Sequence, residues 1–120
     1  MKTLTIFTAL SLFALSTSAI SASFPCAKAT TDVEKQICAD PLLNKLDEAL
    51  AVNYKGMLSA DFGGSPKALK AEQRKWVASR NQCKTNQCLV SLYRKRLDET
   101  CGYGVVSGMH PECTLSSDVK

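Results

Sequence analysis

Six cysteines are the residues of this chain whose type and spacing most directly suggest chemistry: Cys26, Cys38, Cys83, Cys88, Cys101 and Cys113. A thiol can be a nucleophile, a metal ligand or half of a disulfide, and spacing separates these roles. The successive separations of 12, 45, 5, 13 and 12 residues contain no Cys-x-x-Cys, the arrangement used by dithiol oxidoreductases and by many zinc sites. The sole histidine, His110, adds no ligand cluster. An even number of cysteines in a short chain bound for an oxidising compartment reads as three disulfides. Six cysteines allow about 15 pairings, and local topology favours Cys26 with Cys38, Cys83 with Cys88, and Cys101 with Cys113. No metal and no cofactor is implied.

Other catalytic constellations fail on geometry. A nucleophilic hydrolase needs nucleophile, base and orienting group within hydrogen-bond reach, and the sole imidazole, His110, lies in a flexible-looking Gly108, Met109, His110, Pro111 segment next to a tied cysteine and reads as a lone surface histidine. The adjacent pairs Asp47/Glu48 and Asp98/Glu99 could suggest paired-carboxylate chemistry, but neighbours on a helix point apart, so both pairs read as solvated helix faces. Trp76 and Arg80 stand one helical turn apart. The indole is expected to anchor the core, with the guanidinium lying near it or crossing to an acid on the preceding helix, Asp47 being the obvious one. The reading is therefore of a protein without enzymatic activity.

The start of the chain bears on compartment. Lys2 is followed by an uncharged apolar and hydroxyl run from Thr3 to Ser16, the pattern of a secretory signal peptide. The run is too short and too hydroxyl-rich for a membrane span of about 20 apolar residues. Ala19, Ser21 and Ala22 offer small residues for cleavage, which is expected after Ala22, with Ala19 and Ser21 as alternatives. Residues 1–22 are thus read as a leader and 23–120 as one helical domain, periplasmic or secreted and not inserted in the membrane after cleavage. The full chain carries a formal charge of +4, and loss of the leader removes one lysine and no acid, leaving +3. Basic residues are interspersed with acids and form no dense stripe, which argues against nucleic-acid binding.

Helices must position these groups. Thr31-Asp32-Val33-Glu34 fits a capping box, opening a short helix that ends near Cys38. Asp40-Pro41 caps and opens a second, on which Leu42/Leu43, Leu46, Ala49/Leu50, Asn53/Tyr54 and Met57/Leu58 recur at steps of three and four to about Ala60. Asp61-Phe62-Gly63-Gly64-Ser65-Pro66 is a break, after which Ser65 and Pro66 start a third helix with Leu69, Gln73, Trp76 and Val77 facing inward. Thr85 or Asn86 caps a fourth helix carrying Leu89, Leu92, Tyr93 and Leu97, and Gly102 ends it. The third and fourth helices are expected to form an antiparallel hairpin. The fold class is all-α: a small, disulfide-stapled antiparallel domain of about four helices with an irregular tail over 103–120, tied by Cys113 and mobile over its last five residues. A domain this small buries only about 60–65% of its unfolded surface, so crosslinks matter.

The expected core comprises Leu46, Leu50, Tyr54, Trp76, Arg80, Leu92 and Tyr93, with the Tyr54 and Tyr93 hydroxyls reaching solvent. Phe62 at a glycine-rich tip, and Tyr103 and Met109 in the tail, are the residues that either fold back or meet a partner.

One combination is recognisable. Phe24, Cys26, Ala27, Lys28 and Ala29, then Val33, Glu34, Ile37 and Cys38, then Leu46, Asp47, Leu50 and Tyr54, and finally Gln73, Trp76, Arg80, Cys83, Cys88, Leu92, Tyr93 and Arg96 resemble the LprI-type lysozyme-inhibitor-like family over about residues 24–100. The resemblance implies a small exported helical protein from a family with a member linked to lysozyme inhibition. It carries over no inhibitory residues, because the shared positions are those that build the fold. The expected function is an exported protein-binding domain whose partner is another envelope or secreted protein, a lysozyme or cell-wall hydrolase first. The alternatives are a structural or stress-related envelope protein and an immunity-type protein neutralising a secreted toxin. A net positive charge does not favour steering toward cationic lysozymes, although Asp61, Asp98, Glu99 and Glu112 could supply a local acidic surface.

Overall fold

Side-chain caps set where each helix begins. In the computed structural model, which describes residues 23–120 and so leaves the expected leader outside the described residues, Thr31 Oγ1 accepts from the backbone of Glu34 at 3.1 Å. Glu34 Oε2 accepts in return from the backbone of Thr31 at 3.1 Å and of Thr30 at 2.8 Å. Those backbone donors hold the Glu34 carboxyl below the usual carboxylate range, and the reciprocal bonds open α1 (Asp32–Ala39). Asp40 closes α1 through its N–H and caps α2 (Pro41–Leu58), its Oδ1 accepting from Leu42 at 2.9 Å and Leu43 at 3.0 Å. Ser65 caps α3 (Pro66–Arg80) by accepting from Ala68 at 3.1 Å, and Thr85 caps α4 (Asn86–Cys101) by accepting from Cys88 at 3.1 Å. These four α-helices among the described residues, stapled by disulfides, make an all-α fold.

Gly102 ends α4 without left-handed backbone. Its φ is −86°, and its N–H reaches Asp98 O at 3.0 Å and Glu99 O at 3.1 Å. The left-handed glycine is Gly108, at φ +75° in the tail, where an L side chain would be strained.

The apolar stripe of α2 packs most extensively on α4, and α1 lies against α2. Ile37, Leu43, Leu46, Leu50, Leu89, Tyr93 and Leu97 form the core, with Trp76, Leu92 and Phe24 packed on its edge. The α3–α4 hairpin is therefore a connection more than a packing unit. The Cys83–Cys88 disulfide closes its turn, but α3 is too polar to lie closely along a neighbour and attaches through Leu69, Trp76 and Arg80. Cys26–Cys38 ties the entry segment to α1, and Cys101–Cys113 ties the tail to the end of α4.

The end of the chain is fixed, contrary to the expectation that residues 116–120 are mobile. Residues Ser116–Asp118 form a 3-10 turn, and Val119, 7% exposed, joins the core. Asp98 accepts from Ser116 N and Oγ, both at 2.8 Å, which holds its carboxyl below the usual range. Arg94 donates to the carbonyls of Ser116 and Val119. Further in, buried Asn53 accepts from Thr114 N and donates to Thr114 O, both at 2.9 Å. One valine in a polar stretch carries no periodic signal, which is why sequence patterning misses it. Burying a valine contributes roughly 1.5 kcal/mol, and about 1 kcal/mol moves the melting temperature of a domain this size by roughly 4–8 °C. A chain ending at Leu115 is thus expected to melt at least about 6 °C lower by circular dichroism; an unchanged melt would mean that the turn adds nothing.

Candidate functional site

Two polar constellations stand out, one buried and one open. The buried one joins α2, α3 and α4. Tyr93 donates its hydroxyl proton to Asp47 Oδ1 at 2.5 Å, and Arg80 Nη1 donates to the Tyr93 oxygen at 3.3 Å while standing 3.7 Å from Asp47 Oδ1. Arg80 Nε and Nη2 donate to Asn81 Oδ1 at 3.1 and 2.9 Å. The guanidinium lies 5.9 Å from the Trp76 ring centre, and Trp76 meets Tyr93 edge-on at 4.9 Å. Arg80 thus does cross to Asp47.

Two expectations are corrected here. Asp47 is 3% exposed and is no solvated face, because it lies on the α2 stripe beside Leu43, Leu46 and Leu50, while its neighbour Glu48 is exposed. Tyr93 is 0% exposed, and its hydroxyl ends on Asp47 rather than in solvent. Leu46 and Leu50 are fully buried, whereas Tyr54, Trp76 and Leu92 are half-buried.

Burial, reinforced by the Asp47 charge, pushes the Tyr93 hydroxyl well above its ordinary value of 10.0. A group raised on folding stabilises fully below its unfolded value and loses that contribution as pH climbs above it. Stability from Tyr93 is therefore expected to hold to about pH 10 and to fall beyond it. The fall should be shallower in Tyr93→Phe; identical alkaline limbs in urea titrations of the two proteins would contradict this.

The open constellation forms where the α2–α3 loop meets the segment after α4. Phe62 and Val105 make an isolated antiparallel bridge, with Val106 N donating to Asp61 O at 2.9 Å and Gly63 N to Gly104 O at 3.4 Å. The Asp61 carboxylate accepts from Ser107 N and Oγ, both at 3.0 Å. The Phe62 ring lies 6.1 Å from that of Tyr103. Tyr103 donates to Glu72 Oε2 at 2.5 Å and accepts from Arg96 Nη1 at 3.2 Å, and the same nitrogen reaches Glu99 Oε2 at 3.2 Å. Arg96 Nε donates to Gln73 Oε1 at 3.1 Å. Burial and the bond to Glu72 raise the Tyr103 hydroxyl above its ordinary value.

Part of this constellation borders an open groove of about 430 Å³, lined among others by Phe62, Leu69, Glu72, Tyr103, Val105 and Val106. Phe62 and Tyr103 are brought together, whereas Met109, 79% exposed, is not among the lining residues. Val106 is equally exposed. Sequence reasoning missed Glu72 and Arg96 as the groups that fix Tyr103; Arg96 lies four residues after Leu92 on the inner side of α4, and that register was the available signal.

His110 Nδ1 lies 2.8 Å from Pro111 O, a backbone contact with no nucleophile in it. No group of three or more His, Cys, Asp or Glu residues suited to a metal occurs among the described residues, and none of their helices is long and apolar enough to cross a membrane. A family model described as "Lysozyme inhibitor LprI" matches residues 26–100. No curated protein and no solved structure matches the chain. The matched segment includes the Phe62 wall of the groove and stops short of the Tyr103–Val106 wall.

Proposed function

We propose that this chain, which belongs to the lysozyme inhibitor LprI family, is exported and works as a non-enzymatic protein-binding domain whose partner is a lysozyme or related cell-wall hydrolase. The observation that carries this reading is the family match, which spans all of α1, α2 and α3 and nearly all of α4. Three disulfides fit an oxidising compartment outside the cytoplasm. The Phe62–Tyr103 groove is the surface assigned to contact. It offers aromatic and aliphatic side chains on a frame held by a backbone bridge and a disulfide, so ordering it on binding costs little. Glu72 and Glu99 beside Tyr103 are each paired with Arg96, and Glu99 also with Lys95, so the contact reading rests on the apolar walls of the groove and not on charge.

The test is residual muramidase activity in the presence of a micromolar excess of the oxidised mature protein, across enzymes of several types. Inhibition of at least one type is expected. Tyr103→Ala is expected to weaken it about 30-fold or more, as truncation of an aromatic hot spot of about 2 kcal/mol would. Undiminished activity of every enzyme would remove the inhibitor reading, and inhibition indifferent to Tyr103 and Phe62 would move the contact surface elsewhere.

A further inference from the structure

We propose that the bond between Ala22 and Ser23 is the processing site of this chain, and that the α-amino group released there docks on buried Asp47. The geometry lies at the first described residue. Ser23 N stands 2.7 Å from Asp47 Oδ2, and Ser23 Oγ donates to the same oxygen at 2.9 Å. Asp47 divides its two oxygens, with Oδ1 facing Tyr93 and Arg80 and Oδ2 receiving both donors of Ser23. A chain end commonly frays unless something ties it down, and the segment that follows Ser23 is tied. Phe24 packs on the core, a 3-10 turn follows over Cys26–Lys28, and Cys26 is bonded to Cys38.

Hydrolysis by a leader peptidase adds water across the amide, leaving a carboxylate on Ala22 and an ammonium on Ser23. Before cleavage Ser23 N offers Asp47 one neutral N–H. After it, the same nitrogen carries three N–H donors and a unit charge, and ionised hydrogen bonds are about twice as strong as neutral ones. An α-amino group ordinarily titrates at about 7.7–8.0, so it is largely cationic at neutral pH, and the adjacent carboxylate favours that form further. Placement also distinguishes the three sequence-level cleavage points. A chain beginning at Ala22 or Ile20 carries its charge one or three residues upstream and leaves an amide at Ser23. The maturation cut would then give buried Asp47 a second cation, on exposed Ser23, beside the Arg80 that the precursor already holds.

The inference rests on the export reading alone and not on the identity of any partner. Its test has three readouts. The precursor, expressed with export, is purified and its intact mass measured; the mature chain is expected to begin at Ser23. Two tag-released proteins, one starting at Ser23 and one at Ala22, are then melted. The Ser23 form is expected to melt about 4–8 °C higher, with the difference abolished in the Asp47→Asn background. Should Asp47→Asn fail to fold, the third readout stands without it: the α-amine of the wild-type protein, uniformly ¹³C-labelled and chemically unmodified, is titrated by NMR through the Cα and Cβ shifts of Ser23. It is expected to titrate above its ordinary range of about 7.7–8.0 and to return to that range on unfolding. A mature start at another residue, equal melts, or an α-amine titrating at its ordinary value in the folded protein would each overturn the proposal. An uncleaved chain recovered from the cytoplasm would overturn the export reading with it, whereas an exported chain cut elsewhere would remove only this assignment.

Discussion

Reduction of all three disulfides is expected to unfold the mature domain at 25 °C. Cys26–Cys38 and Cys101–Cys113 each span 12 residues and Cys83–Cys88 spans 5. Restricting the unfolded chain over such loops contributes about 3 kcal/mol for each longer one and about 2 kcal/mol for the shorter. Their total is comparable with the whole net stability of an ordinary domain, about 5–15 kcal/mol. Their placement sharpens the effect, because the two longer staples hold segments with little helix of their own. One fastens the entry segment, with Phe24 and Ser23, to α1; the other fastens the segment carrying the groove wall and Val119 to α4. Serine replacement of the Cys26 pair or of the Cys101 pair should each lower the melting temperature more than replacement of the Cys83 pair. Far-ultraviolet circular dichroism with and without a phosphine reductant checks both statements. A cooperative melt at the same temperature in both conditions would show that helix packing alone suffices.

What could be read from the sequence follows the range over which the signals act. Thr31, Asp40, Ser65 and Thr85 cap helices within three residues of themselves, so their roles are visible in short strings, and so are the local partners of Cys26, Cys83 and Cys101. The pairing of α2 with α4 is not visible in this way, since the apolar stripe of α2 would serve any neighbour and only the polarity of α3 disfavours the sequential choice. Asp47 shows the same limit at one residue. Beside Glu48 it looks like half of a solvated pair, and only the register of Leu43, Leu46 and Leu50 places it inward. The groove was half legible. Phe62 and Tyr103 stand out as bulky residues in glycine-rich segments, but a single bridge between two loops leaves no alternating pattern, so neither the Phe62–Val105 pairing nor the Asp61–Ser107 clasp announces itself.

Asp47→Ala is expected to destabilise the domain by about 3–5 kcal/mol, the cost of leaving one member of a buried ion pair without its partner. Three donors lose their acceptor at once, the Tyr93 hydroxyl and the N–H and hydroxyl of Ser23, and the Arg80 guanidinium 3.7 Å away loses its counter-charge. Arg80 is only 6% exposed, so its charge cannot readily recover solvent. Arg80→Met is expected to cost less, because Asn81 is then freed toward solvent while the Asp47 carboxylate keeps Tyr93 and Ser23. The double replacement Asp47→Leu with Arg80→Met should recover much of the loss of Asp47→Ala, since apolar side chains of similar volume often replace a buried pair without penalty. Urea denaturation of the wild type, Asp47→Leu, Arg80→Met and the double replacement forms the cycle that separates these terms. If the double replacement costs the sum of Asp47→Leu and Arg80→Met, the two charges act independently. The ion pair would then contribute nothing beyond the separate environments of its members, and the cluster would owe its place in the core to Trp76 and Tyr93 alone.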